Sequence, residues 1–309
     1  MAMMLSGFEV DRLAVLVNAA AGGGRGARAW ARLLGDAPEL ARARLILAED
    51  AASAGRALAE ILPEVDAVVA LGGDGTVHLA ANRILEAGEG ERVALGLIPA
   101  GTGSDFARCL GLAKRPREGW RRIRSAAEPR AVDVLEIATD AGRRRFAVNG
   151  ASAGVSGVVA SRVNALSGRG RLTYLARTIG ALLRYEPVPC RVLVDGEELC
   201  DGGFLVVVAA NGRSFGRGML LAPRAAVDDG LVDVVLVPAF PRRQIPLWIV
   251  PIYTGRHLRR PGVRWVRGAC VRLEPRGEMA PFEVDGETLA SGPATIRVLP
   301  GALRILGAA

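Results

Sequence analysis

The chain has 309 residues, half of them hydrophobic, which suits about two domains with sizeable cores. Its formal net charge of +8 is almost wholly arginine-based, and no apolar run approaches the roughly 18 residues of a membrane span. The only lysine is Lys114, in Ala113-Lys114-Arg115-Pro116, which excludes a P-loop of the G-x-x-x-x-G-K-[ST] type and the protein-kinase pattern with its strand lysine.

Residues 13–17 predict an apolar strand, ended by Asn18 and the run Ala21-Gly22-Gly23-Gly24-Arg25-Gly26. A helix is expected at 28–34, a strand at 44–47, a helix at 51–62 and a strand at 66–71. The last runs into Gly72-Gly73-Asp74-Gly75-Thr76 and a helix-like stretch at 77–87. A fourth strand at 93–98 closes on Pro99-Ala100-Gly101-Thr102-Gly103-Ser104. Short buried strands alternating with helices imply a mostly parallel, Rossmann-like α/β sheet with ligands at the carboxyl ends of its strands. Beyond residue 130 the texture changes. Strands are expected at 132–137, 145–148, 190–194, 204–209, 232–237, 270–273 and 282–284, separated by Asp-Gly-type turns, with helices at 158–164 and 174–183. This is an antiparallel, mainly β pattern, read as a β-sandwich domain. The domains are set at 1–130 and 131–293, with 294–309 returning to the first. Cys109, Cys190, Cys200 and Cys270 have no metal-ligand spacing and read as buried thiols in a reducing cytoplasm. No secretory signal is visible.

Three glycines around Asp74, at a strand-to-helix junction, can bring backbone N–H groups against a phosphate. A carboxylate beside a phosphate is repelled unless Mg²⁺ lies between them or the acid takes a proton from an acceptor hydroxyl. Asp74 could equally cap the helix that follows. The loop at 99–104 repeats the arrangement with the hydroxyls of Thr102 and Ser104, and the loop at 18–26 offers a third.

Together these loops resemble the diacylglycerol-kinase-type lipid kinases, the superfamily that includes sphingosine kinases and bacterial lipid kinases. Its Gly-Gly-Asp-Gly-Thr loop falls here at Gly72 to Thr76, and its Pro-x-Gly-Thr-x-Asn-Asp-Phe-Ala stretch at Pro99 to Ala107. Phe146-Ala147-Val148-Asn149-Gly150, the Asp228-Asp229-Gly230 segment and Phe282-Glu283-Val284-Asp285-Gly286-Glu287 extend the resemblance over nearly the whole chain. It implies ATP contacts from Asn18, Ala19, Ala20, Ala21, Gly22, Gly72, Gly73, Asp74, Gly75, Thr76, Val77, His78 and Thr102. It implies Glu287 as the base for a lipid hydroxyl, with Asp285 beside it. A structural Mg²⁺ would sit on Asp229 and the carbonyls of Ala226 and Leu231, and a second Mg²⁺ would travel with ATP near Asp74.

Ala19, Ala48, His78 and Ser104 depart from the family pattern, Ser104 standing where asparagine is usual. The tetrapeptide Val194-Asp195-Gly196-Glu197 repeats the late acidic turn and reads as a plain hairpin. His257 reads as a surface residue. The expectation is an ATP- and Mg²⁺-dependent lipid kinase, cytoplasmic and peripheral at the inner membrane surface. It would hold the lipid's free hydroxyl between its domains and bind no nucleic acid. Trp248, Ile249 and the arginines from Arg256 to Arg267 would form the surface that meets an anionic membrane. The oligomeric state is open, a homodimer being one option. The alternatives are an NAD kinase and a non-catalytic nucleotide or lipid sensor on the same fold.

Overall fold

The structure, a computed structural model, describes residues 4–5, 8–19, 21–47, 50–101, 104–112, 115–126, 128–164 and 178–308. By contacts the chain divides into Met1–Val132 with Gly301–Ala309, and Asp133–Pro300. In the first unit a short antiparallel pair, β1 (Met4–Leu5) and β2 (Phe8–Glu9), precedes the main sheet. The apolar runs then become parallel strands: β3 (Leu13–Val17), β4 (Arg44–Leu47), β5 (Ala67–Gly72) and β6 (Ala94–Pro99). Their spatial order is β6-β5-β3-β4. Every residue of β3 and β5 is buried, as a sheet covered on both faces requires. At the edge, β4 leaves Leu45 and Leu47 exposed.

Helices cover this sheet: α1 (Ala21–Asp36), α2 (Ala51–Ile61), α3 (Asp74–Glu86), the short α4 (Asp105–Cys109) and α5 (Pro116–Ser125). Asp50 starts α2 by accepting from the backbone N–H of Ala52 and Ser53, both at 2.8 Å. Val77, Ala80, Ala81 and Ile84 of α3 are buried at i, i+3, i+4 and i+7, one face of a helix. The strand order reverses between β3 and β5. An open α/β sheet receives ligands at the carboxyl ends of the strands flanking such a reversal.

The second unit is mainly antiparallel. Its elements are β7 (Arg130–Thr139), β8 (Arg144–Ala147), β9 (Gly150–Gly154), α6 (Val155–Asn164), β10 (Pro189–Val194), β11 (Glu197–Ala210), β12 (Val232–Pro238), a helix at Ile245–Thr254, β13 (Arg264–Gly268), β14 (Cys270–Pro275), β15 (Phe282–Val284), β16 (Glu287–Leu289) and β17 (Ala294–Leu306). The long β11 belongs to two layers. Up to Gly203 it pairs with β10, and from Phe204 onward with β12 and β9. Val192, Leu273 and Ile296 of one layer share a core with Val207, Val234 and Phe282 of the other, as in a β-sandwich. The closing strand β17 pairs with β14 at its start and runs parallel to β6 at its end, where Ile305 faces Leu95.

Sequence reading misses β13, β16 and the first half of β11, whose charged residues hide the alternation. The expected helix at 174–183 begins outside the described residues, and 178–182 are helical. The sequence segment at 244–253, broken by prolines, falls almost wholly in the helix Ile245–Thr254. Pro246 sits in the first turn, where its missing N–H costs nothing. Pro251 leaves the Leu247 carbonyl without its intrahelical donor, and the Arg260 guanidinium supplies one.

Three expectations are corrected. Trp248 is buried, not a surface contact: its ring stacks on Phe240 at 4.5 Å and carries Arg260 at 4.7 Å. His257 is fully buried between the Pro251 and Leu221 carbonyls. Of the cysteines only Cys190 is fully buried. No helix among the described residues is long and apolar enough to cross a membrane.

Candidate functional site

The loops after β3, β5 and β6 meet at the strand-order reversal. Asn18 donates its backbone N–H to the Leu71 carbonyl at 3.1 Å, tying the first loop to the end of β5. Ala100 and Gly101 donate to the Gly72 carbonyl at 2.8 and 3.1 Å, tying the third loop to the second. The fit depends on missing side chains. A Cβ on Gly72 would lie 2.1 Å from Thr76 Oγ1, and one on Gly101 would lie 2.6 Å from the Gly73 Cα. In the first loop Gly22, Gly23 and Gly24 all adopt positive φ, so the chain turns before the right-handed part of α1 begins. Arg25 Nε donates to the Gly22 carbonyl at 3.1 Å, and Arg28 reaches the Gly23 carbonyl at 3.5 Å.

The first turn of α3 leaves the N–H groups of Asp74 and Gly75 without carbonyls four residues earlier in the helix, the positive end of its dipole. Thr76 Oγ1 is buried with no hydrogen-bond partner among the described residues. A bare glycine edge and a helix N-terminus are features that can receive a phosphate. Val77 and His78 are buried, and the His78 ring lies 3.3 Å from Asn82 Nδ2. Ala19 lies at the loop, its carbonyl accepting from Ala27 N–H, and Ala21 opens α1. The expected contacts Ala20 and Thr102 lie outside the described residues, as does Ala48.

Asp74 does not cap its own helix, whose N-cap is Gly73. Its Oδ1 accepts the backbone N–H of Asp105 at 2.9 Å, capping α4 from a neighbouring loop. Asp105 is itself buried and ion-paired with Arg108. Ser104, just before α4, sits at φ +53°, in the left-handed region that asparagine tolerates better than serine.

In the second unit Asp285 and Gly286 form the two-residue turn between β15 and β16, both at positive φ. Asp285 Oδ2 accepts from Val148 N–H at 2.8 Å. Its Oδ1 accepts from Asn149 and Gly150 N–H at 3.0 and 2.9 Å. The carboxylate thus clamps the junction of β8 and β9. Next to it Glu287 is exposed and has no hydrogen-bond or ion-pair partner among the described residues. The earlier copy repeats the device: Asp195, also at positive φ, accepts from Ala269 and Cys270 N–H. The signal for the clamp was the Asp-Gly pair itself, which reading it as a turn alone leaves half interpreted. Sequence reading also passes over the Ser152 hydroxyl, which bonds Glu283 behind the same turn.

Asp229 is engaged differently from a bare metal ligand. Its Oδ1 accepts from Leu231 N–H at 3.2 Å, and its other oxygen is ion-paired with Arg267. Arg267 also lies 3.5 Å from Asp233, a buried carboxylate that accepts from Trp265 Nε1 at 2.6 Å. Burial pushes the Asp233 carboxyl up from its ordinary pKa, opposed by that hydrogen bond. A cation on Asp229 and the carbonyls of Ala226 and Leu231 would have to displace the guanidinium, so the side chains present do not favour a structural metal there. Among the described residues no cluster of three or more His, Cys, Asp or Glu could hold one.

A parallel sheet with glycine-rich loops at its strand-order reversal, followed by an antiparallel sandwich, is a fold also found in solved diacylglycerol kinase and NAD kinase structures. Family models match in the same order: the diacylglycerol kinase catalytic domain over residues 12–137, and the YegS C-terminal NAD kinase beta sandwich-like domain over 149–307. A protein of Mycobacterium tuberculosis (strain CDC 1551 / Oshkosh) named diacylglycerol kinase is 31% identical over 257 residues, 80% of this chain and 79% of that protein. In fold, a crystal structure of a diacylglycerol kinase from Bacillus anthracis str. Sterne matches with a TM-score of 0.72 at 20% identity, covering 96% of both chains. An NAD kinase from Archaeoglobus fulgidus, solved with ATP, matches at 0.52 and 16%, covering 93% of this chain and 90% of that one. The chain belongs to the diacylglycerol-kinase-type lipid kinase family.

Proposed function

We propose that this lipid kinase transfers the γ-phosphate of ATP to the free hydroxyl of a diacylglycerol-like lipid. The observation that carries the reading is the tying of three loops, at Asn18, Gly72 and Ala100–Gly101, into one cradle by backbone hydrogen bonds. Asn18 to Gly22, Gly72 to Thr76 and Thr102 would hold the phosphates, chiefly through backbone N–H groups. Val77 and His78 would support the helix behind them. Mg²⁺ bound with the nucleotide would neutralise charge developing on the phosphoryl oxygens.

Glu287 would take the proton of the acceptor hydroxyl. The hydroxyl oxygen forms the new bond to the γ-phosphorus, the bond to the β–γ bridging oxygen breaks, and ADP leaves with that electron pair. Asp285 would position the hairpin that carries Glu287, its oxygens already accepting three backbone donors. Positioning and charge stabilisation would supply most of the rate.

The test is ATP turnover across a panel of lipid alcohols, read by product mass, with NAD as a further acceptor. Phosphorylation of a diacylglycerol-like lipid, lost in Glu287→Gln, is the expected result. Phosphorylated NAD would replace the reading with an NAD kinase. Intact ATP binding without turnover on any acceptor would replace it with a sensor.

A further inference from the structure

We propose that the helix Ile245–Thr254 and its arginine-bearing flanks form a bilayer-docking element that seats on an anionic phospholipid surface. The choice of partner rests on the lipid-kinase reading; the geometry of the surface stands apart from it. Leu247 and Val250 are 60% and 65% exposed, more than any other large hydrophobic residue described. They lie three residues apart on one face of the helix, with Pro246 also exposed beside them. The opposite face is fixed. Ile245 and Trp248 are buried, Trp248 is held between Phe240 and Arg260, and Arg260 satisfies the carbonyl freed by Pro251. The apolar face is therefore displayed by a rigid support.

Charge selects the partner. Residues 234–273 contain eight arginines and no acidic residue. Four are engaged within the unit: Arg260 and Arg264 on carbonyls, Arg267 on Asp229, and Arg272 on Asp140. The other four, Arg242, Arg243, Arg256 and Arg259, are exposed and have no carboxylate partner among the described residues. They bracket the helix, two before it and two after. An apolar face inside a basic collar matches the boundary between anionic headgroups and acyl chains. A second copy of the chain is a poorer occupant, because a two-fold contact here would bring arginines against arginines.

The helix's first residue also lines a cavity of about 310 Å³ with Leu182, Tyr185, Leu205, Phe240 and Arg242. That size is at the lower end of ligand pockets, and the wall is mostly apolar.

The experiment is sedimentation of the full chain with phosphatidylcholine vesicles, with and without phosphatidylglycerol, in the absence of nucleotide. Binding to the anionic vesicles that weakens with salt is expected. Replacing these four exposed arginines with glutamine should weaken it roughly several-hundred-fold, about fivefold per residue. Leu247→Ser with Val250→Ser should also release the protein, while Leu45→Ser with Leu47→Ser, the exposed pair on β4, should not. All are surface positions, so folding is checked by unchanged melting. Wild-type binding by the arginine variant overturns the proposal. So does a Leu247/Val250 variant that loses an oligomer, by light scattering, yet still binds vesicles. Phosphorylation of a short-chain acceptor in solution by a protein that ignores vesicles removes the docking element and keeps the kinase. Vesicle binding without phosphorylation of any acceptor upholds the docking element and removes the kinase.

Discussion

Asp285→Asn and Glu287→Gln should separate two adjacent acids that the sequence cannot tell apart. In the asparagine variant the oxygen facing Asn149 and Gly150 can remain, but an NH₂ group replaces the oxygen that accepts from Val148 N–H. One hydrogen bond to a charged acceptor is lost, about 1.5–3 kcal/mol, and two donors are left facing each other. The two surviving bonds lose their charge assistance. Partial exposure holds the total to about 1.5–3 kcal/mol. In a unit of this size that lowers Tm by roughly 5–10 °C. Glu287 is exposed and unpartnered among the described residues, so Glu287→Gln should stay within about 0.5 kcal/mol of wild type. Its turnover should fall by roughly 10²–10⁴ if it is the base. Asp195→Asn is the control: it disturbs the same kind of clamp and should lower Tm without lowering turnover per folded molecule. Scanning calorimetry and a lipid phosphorylation assay on the three variants decide the matter. An Asp285→Asn protein with wild-type Tm and no turnover would refute the clamp and return Asp285 to the chemistry.

Ser104→Asn should raise stability by about 0.5 kcal/mol, because asparagine is less strained at φ +53°; a lower Tm would contradict this. Burial depresses the His257 pKa below its ordinary value near 6.5, so the unfolded chain takes up a proton first on acidification. Stability from this residue is therefore complete above about pH 6.5 and is lost as pH falls through the depressed value. Denaturant melts between neutral and mildly acidic pH should show that slope, flattened in His257→Gln. Burial pushes the Cys190 thiol up to about 11, so at pH 8 it should resist iodoacetamide while Cys270 reacts in the folded protein. Chelation should leave wild-type melting unchanged if Arg267 serves Asp229; a lower Tm in EDTA would restore a metal to that loop.

The parallel sheet was legible because β3, β5 and β6 are short, uninterrupted apolar runs, a pattern buried strands produce directly. The cradle was legible too, because glycines clustered at successive strand ends weaken a fold unless the backbone there must come close to a ligand or to another loop. One contact of Asp74 was not: its Oδ1 accepts from Asp105 N–H, a residue brought close only when β5 and β6 pair. The two Asp-Gly turns were visible as turns, but their carboxylates act on strands about 75 and 135 residues away, a relation no local pattern carries. Trp248 and Arg267 misled in the same way. Sequence gives their type and neighbours, whereas their partners Phe240, Arg260 and Asp229 fix whether they face solvent or hold the fold together.

The two ends of β17 have a consequence for synthesis. Its last residues complete the first unit's sheet beside β6, a strand that leaves the ribosome roughly 200 residues earlier. At about 5–20 residues per second, β6 waits on the order of 10–40 s with an open, apolar edge. The N-terminal half of the chain is therefore the first to be made and among the last to be finished. A stop codon before β17 would leave the parallel sheet of the first unit exposed along that edge, which makes aggregation, rather than a mere loss of activity, the expected fate of such truncated chains.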